Sequence, residues 1–200
     1  MKYINCIQGS DEWYAARLGK ATASRFSDVL NKKTGRGTYM IRLAAERLTG
    51  NGQDNYTNAA MEWGKEHEAD AREHYKIIYH QEVKQVGFAE LNEWVGASPD
   101  GLIGDEGLAE IKCPNSSTHI SYIVKNKMPS KYNPQVQGQL WVTGRQWCDF
   151  ISYDPRLSCR PLWSTRIQRD EEYIKNLEAA TNVFVADLQE LIAKIETNAF

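Results

Sequence analysis

Apolar side chains recur at steps of three and four over two long stretches of the chain. From about Ala59 to His80, Met61, Gly64, Ala71, Tyr75 and Ile78 share one helical face, and Glu68 falls on that otherwise apolar stripe. From Asp170 to about Glu196, the residues Tyr173, Leu177, Ala180, Phe184, Leu188, Leu191 and Ile195 mark one long amphipathic helix. Shorter helices are predicted for DEWYAARL, begun at Ser10 and stopped by Gly19, and for a turn or two capped by Ser24 and ending at Leu30. After a Gly/Lys-rich loop, NKKTGRG, a helix is predicted from Thr38 to Leu48, ended by Gly50, and a polar loop, GNGQDNYTN, follows. Tyr132 to Thr143 is predicted helical from near Pro134, because proline suits a first turn. The period changes to two in EVKQVGFAEL, EWVGASPDGLIG and LAEIKCP, which read as an antiparallel meander turning at DEG and closed by Pro114, and WCDFISYDP reads as a further strand. Helices and strands mixed in this way predict a compact α/β chain. No repeat or Pro/Ser-rich linker divides its 200 residues, so one domain is expected over 1–200.

Composition narrows the class. No run approaches the roughly 20 apolar residues of a spanning helix, and the opening MKYINCIQGS lacks a signal-peptide pattern, so a soluble, unexported protein is expected. Cys6, Cys113, Cys148 and Cys159 form no CxxC pair and are expected as free thiols of a reducing cytoplasm. The net charge of -2 speaks at first against a nucleic-acid partner. Its distribution changes that: residues 1–50 and 111–169 each carry nine Lys or Arg against four and two Asp or Glu, whereas 51–110 and 170–200 are acidic. Basic segments flanking an acidic one suit a site where carboxylates hold cations and basic side chains grip a polyanion.

The candidate chemistry sits in the meander. Glu110 and Lys112 lie two apart on one strand and share a face, with Ile111 on the other, and hairpin pairing brings Asp100 beside them. Two converging carboxylates make a hard oxygen site suited to Mg²⁺ or Mn²⁺. Such an ion can acidify water from a pKa of about 15.7 and neutralise a phosphoryl oxygen. Lys112 can orient the attacking water and offset developing charge. Glu68 has no cheap reason to be buried unless it meets a cation, and reads as an outer carboxylate. SPDG alone is an ordinary turn and ExK an ordinary exposed pair; their combination carries the reading. His67, His74, His80 and His119 form no zinc-binding pair and read as surface or packing residues.

The pattern SPDG-x8-EIK resembles the PD-(D/E)xK nuclease superfamily. With EWYAARLGKATAS, WGKEHEADAR, NPQVQGQLWVTG and DFISYDPR, the chain resembles one branch of it, the lambda-phage-type alkaline exonucleases grouped with YqaJ viral recombinases. The resemblance implies a restriction-endonuclease-like fold, a central mixed sheet flanked by helices. It implies that Asp100, Glu110 and the carbonyl of Ile111 bind the divalent metal, that Glu68 completes the metal shell, and that Lys112 positions water. Arg17 matches the arginine that holds the 5′-phosphate of a DNA end, Ser24 and Ser98 match hydroxyls near it, Gln135 a helix position facing the cleft, and Trp13 a residue near the DNA end. A shorter loop than in the lambda member leaves Lys32, Lys33 and Arg36 as candidate backbone contacts.

The implied activity is Mg²⁺-dependent digestion of one strand of linear duplex DNA, 5′ to 3′ from a 5′-phosphorylated end, leaving a 3′ single-stranded tail. The resemblance also implies a ring-shaped homotrimer around DNA and a single-strand annealing partner in phage or prophage recombination. A structure-specific or repair endonuclease of the same superfamily, and a DNA-end-binding module with structural carboxylates, are the alternatives.

Overall fold

The computed structural model describes residues 1–31, 35–52 and 59–198. In chain order the elements are β1 (Lys2–Ile4), α1 (Asp11–Arg17), β2 (Ala21–Thr22), a 3₁₀ turn (Ala23–Arg25), α2 (Phe26–Leu30), α3 (Gly35–Thr49) and α4 (Ala59–Tyr79). Then come β3 (Val83–Lys84), β4 (Phe88–Glu90), β5 (Val95–Ala97), β6 (Gly101–Ile103), β7 (Gly107–Lys112) and α5 (Ser116–Lys125). A second 3₁₀ turn (Ser130–Tyr132), α6 (Asn133–Thr143), β8 (Trp147–Tyr153), β9 (Leu162–Gln168) and α7 (Glu171–Thr197) complete the chain.

The strands form two sheets. The larger has the order β3-β6-β7-β8-β9 and is mixed, with β7 and β8 parallel and the other pairs antiparallel. Its two faces are covered by different helices, as the alternation of side chains requires. Ala109, Ile111, Ile151 and Tyr153 pack with Ala71 and Tyr75 of α4 on one side. Leu108 and Cys148 pack with Val136 and Leu140 of α6 on the other, and Phe150 packs with Tyr122 of α5 on that same side. The smaller sheet, β1-β4-β5-β2, closes a second core with α2, α3 and α7 around Phe26, Tyr39, Leu43, Phe184 and Leu188.

The expected mixed sheet between helices is present, and the meander is corrected. EVKQVGFAEL and EWVGASPDGLIG each change sheets midway: β4 and β5 pair in the small sheet, whereas β3 and β6 pair in the large one. The second crossing is Ser98–Asp100. Ser24 does not cap a helix, because it lies inside the 3₁₀ turn that leads into α2. Gly35 to Gly37 are not loop but the first turn of α3, where Gly35 lets α3 sit against α2: a Cβ there would lie 2.8 Å from Asp28 Oδ1. On α4 only Ala71 and Tyr75 are buried, while Met61 and Ile78 are exposed, so the stripe faces the core for about one turn. Lys32, Lys33 and residues 53–58 of the polar loop lie outside the described residues.

Helix α6 is held unusually close. It is buried at Val136 to Leu140 and again at Val142 and Thr143, and a Cβ on Gly138 would stand 2.3 Å from the Phe26 ring. Gly138→Ala is therefore expected to destabilise the fold by about 1–3 kcal/mol through overpacking, read as a lower midpoint in urea unfolding with an unchanged slope.

Candidate active site

The large sheet brings Asp100, Glu110 and Lys112 together. The last β6–β7 pair is Gly101 with Ala109, and beyond it β6 no longer supplies a backbone partner for β7. Asp100 takes over: its Oδ2 accepts the Ile111 N–H at 2.6 Å. The N–H and C=O of one strand residue point to the same edge. The Ile111 carbonyl therefore looks past the end of the ladder, toward the side where Asp100 stands.

Glu110 projects from the α6 face of β7 and has no exposed surface. A carboxylate in that position needs donors. Oε1 accepts the Lys112 ammonium and the Gln135 amide, the latter at 2.5 Å, and Oε2 accepts the Gln139 amide at 2.7 Å. Lys112 also lies 5.6 Å from the centre of the Tyr132 ring. Burial opposes the Lys112 charge, yet the Glu110 and Asp100 carboxylates together outweigh it and raise its pKa. Asp100 is pushed well above the usual carboxylate range, first by burial and then by the Glu110 charge, with Glu68 adding to the effect. Burial, with Glu68 and Asp100 behind it, likewise pushes the neighbouring Cys113 thiol up to about 12.

Glu68 stands near enough to be felt electrostatically at Asp100, but its direct partner is Arg72, one turn along α4. The cation that lets Glu68 sit partly buried is thus a guanidinium, found at the i, i+4 spacing that sequence inspection could have flagged. Among the described residues no three His, Cys, Asp or Glu side chains form a ready metal cage. What the site offers is two crowded carboxylates, a carbonyl edge and a third carboxylate close by. That donor set is all hard oxygen, and its three carboxylates outnumber the Lys112 and Arg72 cations paired with them, which fits a divalent ion such as Mg²⁺ or Mn²⁺.

A second cluster adjoins the first through Ser98. Its hydroxyl accepts the Trp13 indole N–H at 2.9 Å and an Arg17 N–H at 3.1 Å. The Arg17 guanidinium lies over Trp13, 4.2 Å from the ring centre, and reaches Thr22 Oγ1 at 3.4 Å, which is itself 3.4 Å from Ser24 Oγ. Arg17 has no carboxylate in salt-bridge range among the described residues, and burial lowers its pKa without threatening its charge. Of the five residues expected at a DNA end, Trp13, Arg17, Ser24 and Ser98 therefore meet in one place, whereas Gln135 sits on Glu110. Thr22 was missed, as was Gln8, whose amide donates to Val86 O at 2.9 Å and Pro99 O at 2.8 Å and so pins the crossing before Asp100. The peptide after α1 is gripped as well: Glu46 accepts the Gly19 N–H at 2.9 Å and Arg47 donates to the Gly19 carbonyl at 2.8 Å.

Other candidates lie elsewhere. Arg36 is ion-paired with Asp187 of α7 at 2.6 Å, tying α3 to α7. His119 is buried between Ser152 Oγ and the Arg160 carbonyl, a packing role as expected. All four cysteines are free. A cavity of about 920 Å³ lined by Lys84, Asp105, Arg145 and Trp147 opens at the other end of β7 from Lys112 and includes none of the candidate residues.

Residues 12–146 match the YqaJ-like viral recombinase domain. The fold is similar to the crystal structure of LHK-Exo, an alkaline exonuclease of Laribacter hongkongensis: 46% identity, 95% of this chain and 98% of that chain covered, TM-score 0.90. It is equally similar to the same enzyme in complex with dAMP. A phage-related exonuclease of Haemophilus somnus 129PT, at 16% identity over 88% of this chain and 96% of that one with TM-score 0.71, shares the fold. ExoD of Escherichia coli K12 is 33% identical over 66 residues, 33% of this chain and 76% of that protein. Fold, site and likeness define a nuclease of the alkaline-exonuclease type. The chain belongs to the YqaJ-like viral recombinase domain family.

The burial of Asp100 beside Glu110 has a measurable cost. A carboxyl whose pKa is raised by folding binds more protons folded than unfolded, so its contribution to stability falls as pH rises from the ordinary value of about 3.9 through the raised one. Asp100→Asn keeps an oxygen for the Ile111 N–H and removes the charge. In EDTA at neutral pH it is expected to melt at a higher temperature than the natural protein, with the difference vanishing toward acid pH; an unchanged or lower Tm at neutral pH would refute the cost of holding that charge there.

Proposed function

We propose that the chain is a Mg²⁺-dependent exonuclease that degrades one strand of linear double-stranded DNA from a 5′-phosphorylated end, 5′ to 3′, leaving a 3′ overhang. The observation that carries this reading is the spacing of two sites on one crossing: Ser98, within the Arg17 cluster, is two residues from Asp100. Two extended residues span at most about 7 Å, the scale of one nucleotide step. A terminal phosphate held by Arg17 then sets the next phosphodiester beside the carboxylates.

In this mechanism Asp100, Glu110 and the Ile111 carbonyl hold the ion, and Glu68 completes its shell. When bound, the ion polarises the phosphodiester and acidifies the attacking water; Mn²⁺ substitutes for Mg²⁺. Lys112 orients that water and offsets charge gathering on the phosphoryl oxygens. Arg17 grips the 5′-phosphate with Ser24 and Ser98, a task suited to a planar guanidinium. Trp13 packs under Arg17 and borders the DNA end. Gln135 faces the cleft and holds Glu110. The arrangement is that of a single PD-(D/E)xK domain. A homotrimeric ring around the duplex reconciles the net charge of -2 with a polyanionic substrate, because basic segments can line a channel while acidic ones face outward. The 3′ tail would pass to a single-strand annealing protein during phage or prophage recombination in the bacterial cytoplasm.

The test is timed digestion of end-labelled linear duplex with 5′-phosphate or 5′-hydroxyl ends, against closed circular duplex, with Mg²⁺ or EDTA. Mononucleotide release from the phosphorylated linear substrate in Mg²⁺ is expected; equal cutting of closed circles would indicate an endonuclease. Arg17→Ala removes a charge-assisted contact worth about 1.5–3 kcal/mol. It should slow digestion of phosphorylated ends about 10- to 100-fold and erase their advantage over hydroxyl ends. Lys112→Ala should abolish release. Glu68→Ala should impair cleavage while circular dichroism stays that of the natural fold; unfolding instead would make Glu68 a structural residue.

A further inference from the structure

Helix α6 presents two amides to Glu110 one turn apart, and they are not equivalent. Gln135 shares Oε1 with Lys112, whereas Gln139 is the donor on Oε2. With both other donors on one oxygen, the carboxylate could pivot about Oε1. A hold on each oxygen fixes its plane.

Gln139 is also an expensive residue for its place. It is 1% exposed, among Val136, Leu140 and Val142, and among the described residues its own Oε1 meets no hydrogen-bond donor. A half-satisfied amide in a core is worse than an apolar side chain of the same size unless its other half does work. Gln137 shows the contrast on the same helix: it is equally buried, but its amide donates to Gln168 O at 2.9 Å and accepts from Asp170 N at 3.0 Å, stitching α6 to β9 and to the start of α7.

We propose that Gln139 is a positioning residue for the divalent-ion site, fixing the orientation in which Glu110 meets the ion. The inference rests on the metal role proposed above for Asp100 and Glu110. It is tested on the full chain by calorimetric titration with Mn²⁺, alongside Tm in EDTA, for the natural protein, Gln139→Met and Gln137→Met. Gln139→Met should weaken Mn²⁺ binding about 10- to 100-fold, as loss of an outer-shell partner does. Gln137→Met should lower Tm and leave Mn²⁺ affinity unchanged. Should Gln139→Met not fold, Gln139→Asn, whose amide is one methylene too short to reach, takes its place in the same comparison. Mn²⁺ affinity equal to that of the natural protein, or losses that follow Tm alike in both glutamine variants, would overturn the role of Gln139 while leaving the metal site standing. Absence of Mn²⁺ binding by the natural protein would overturn the metal site itself.

Discussion

A carboxylate with no exposed surface is the demand around which the rest of the molecule is arranged. Glu110 can be charged inside the protein only if donors surround it, and the donors come from two elements: Lys112 on its own strand, Gln135 and Gln139 on α6. For those amides to reach, α6 must lie close against the sheet. The same helix is pressed against α2, where Gly138 faces Phe26, and so is buried over most of its circumference. The packing of the small sheet, through Phe26, is thereby coupled to the chemistry of the large one.

The two sheets also divide the labour. The small one and its helices carry Trp13, Thr22 and Ser24 around the positive charge of Arg17; the large one carries the Asp100 and Glu110 carboxylates. Opposite electrostatic tasks are kept on separate frameworks and meet where the chain passes from β5 to β6. Ser98 and Asp100 face their separate partners there, and Gln8 holds the intervening Pro99 carbonyl. The net charge of -2 conceals this arrangement.

What could be read in advance followed local rules. Asp100, Glu110 and Lys112 were legible because strand alternation and hairpin register are fixed by neighbours a few residues away, and α1, α4, α6 and α7 because their capping and periodicity are written in short windows. The sheet change at Ser98–Asp100 was not, since apolar alternation continues while the pairing partner changes. β9 and α5 escaped for weaker signals: only the first two residues of LWSTRIQ are buried, and α5 is built of SSTHISYIVK, serine-rich and β-branched, started by Asn115. Gln139 was hidden for another reason. On a helix buried nearly all round, a polar residue at a core position breaks no pattern, and its significance depends on a strand remote in sequence. Glu68 was noticed for its misfit, but the partner that explains its burial, Arg72, was overlooked.

The grip of α3 on the turn after α1 bears on how the Arg17 cluster could be transplanted. Gly19 has φ +65, and its N–H and carbonyl are held by Glu46 and Arg47 respectively, with Arg47 stacked on Trp94. The address of Arg17 is therefore written on a different helix from the one that bears it. Copying the RLGKATAS segment alone into another scaffold would carry the guanidinium without its coordinates; the smallest portable unit includes the last turn of α3 and Trp94, in the bend before β5.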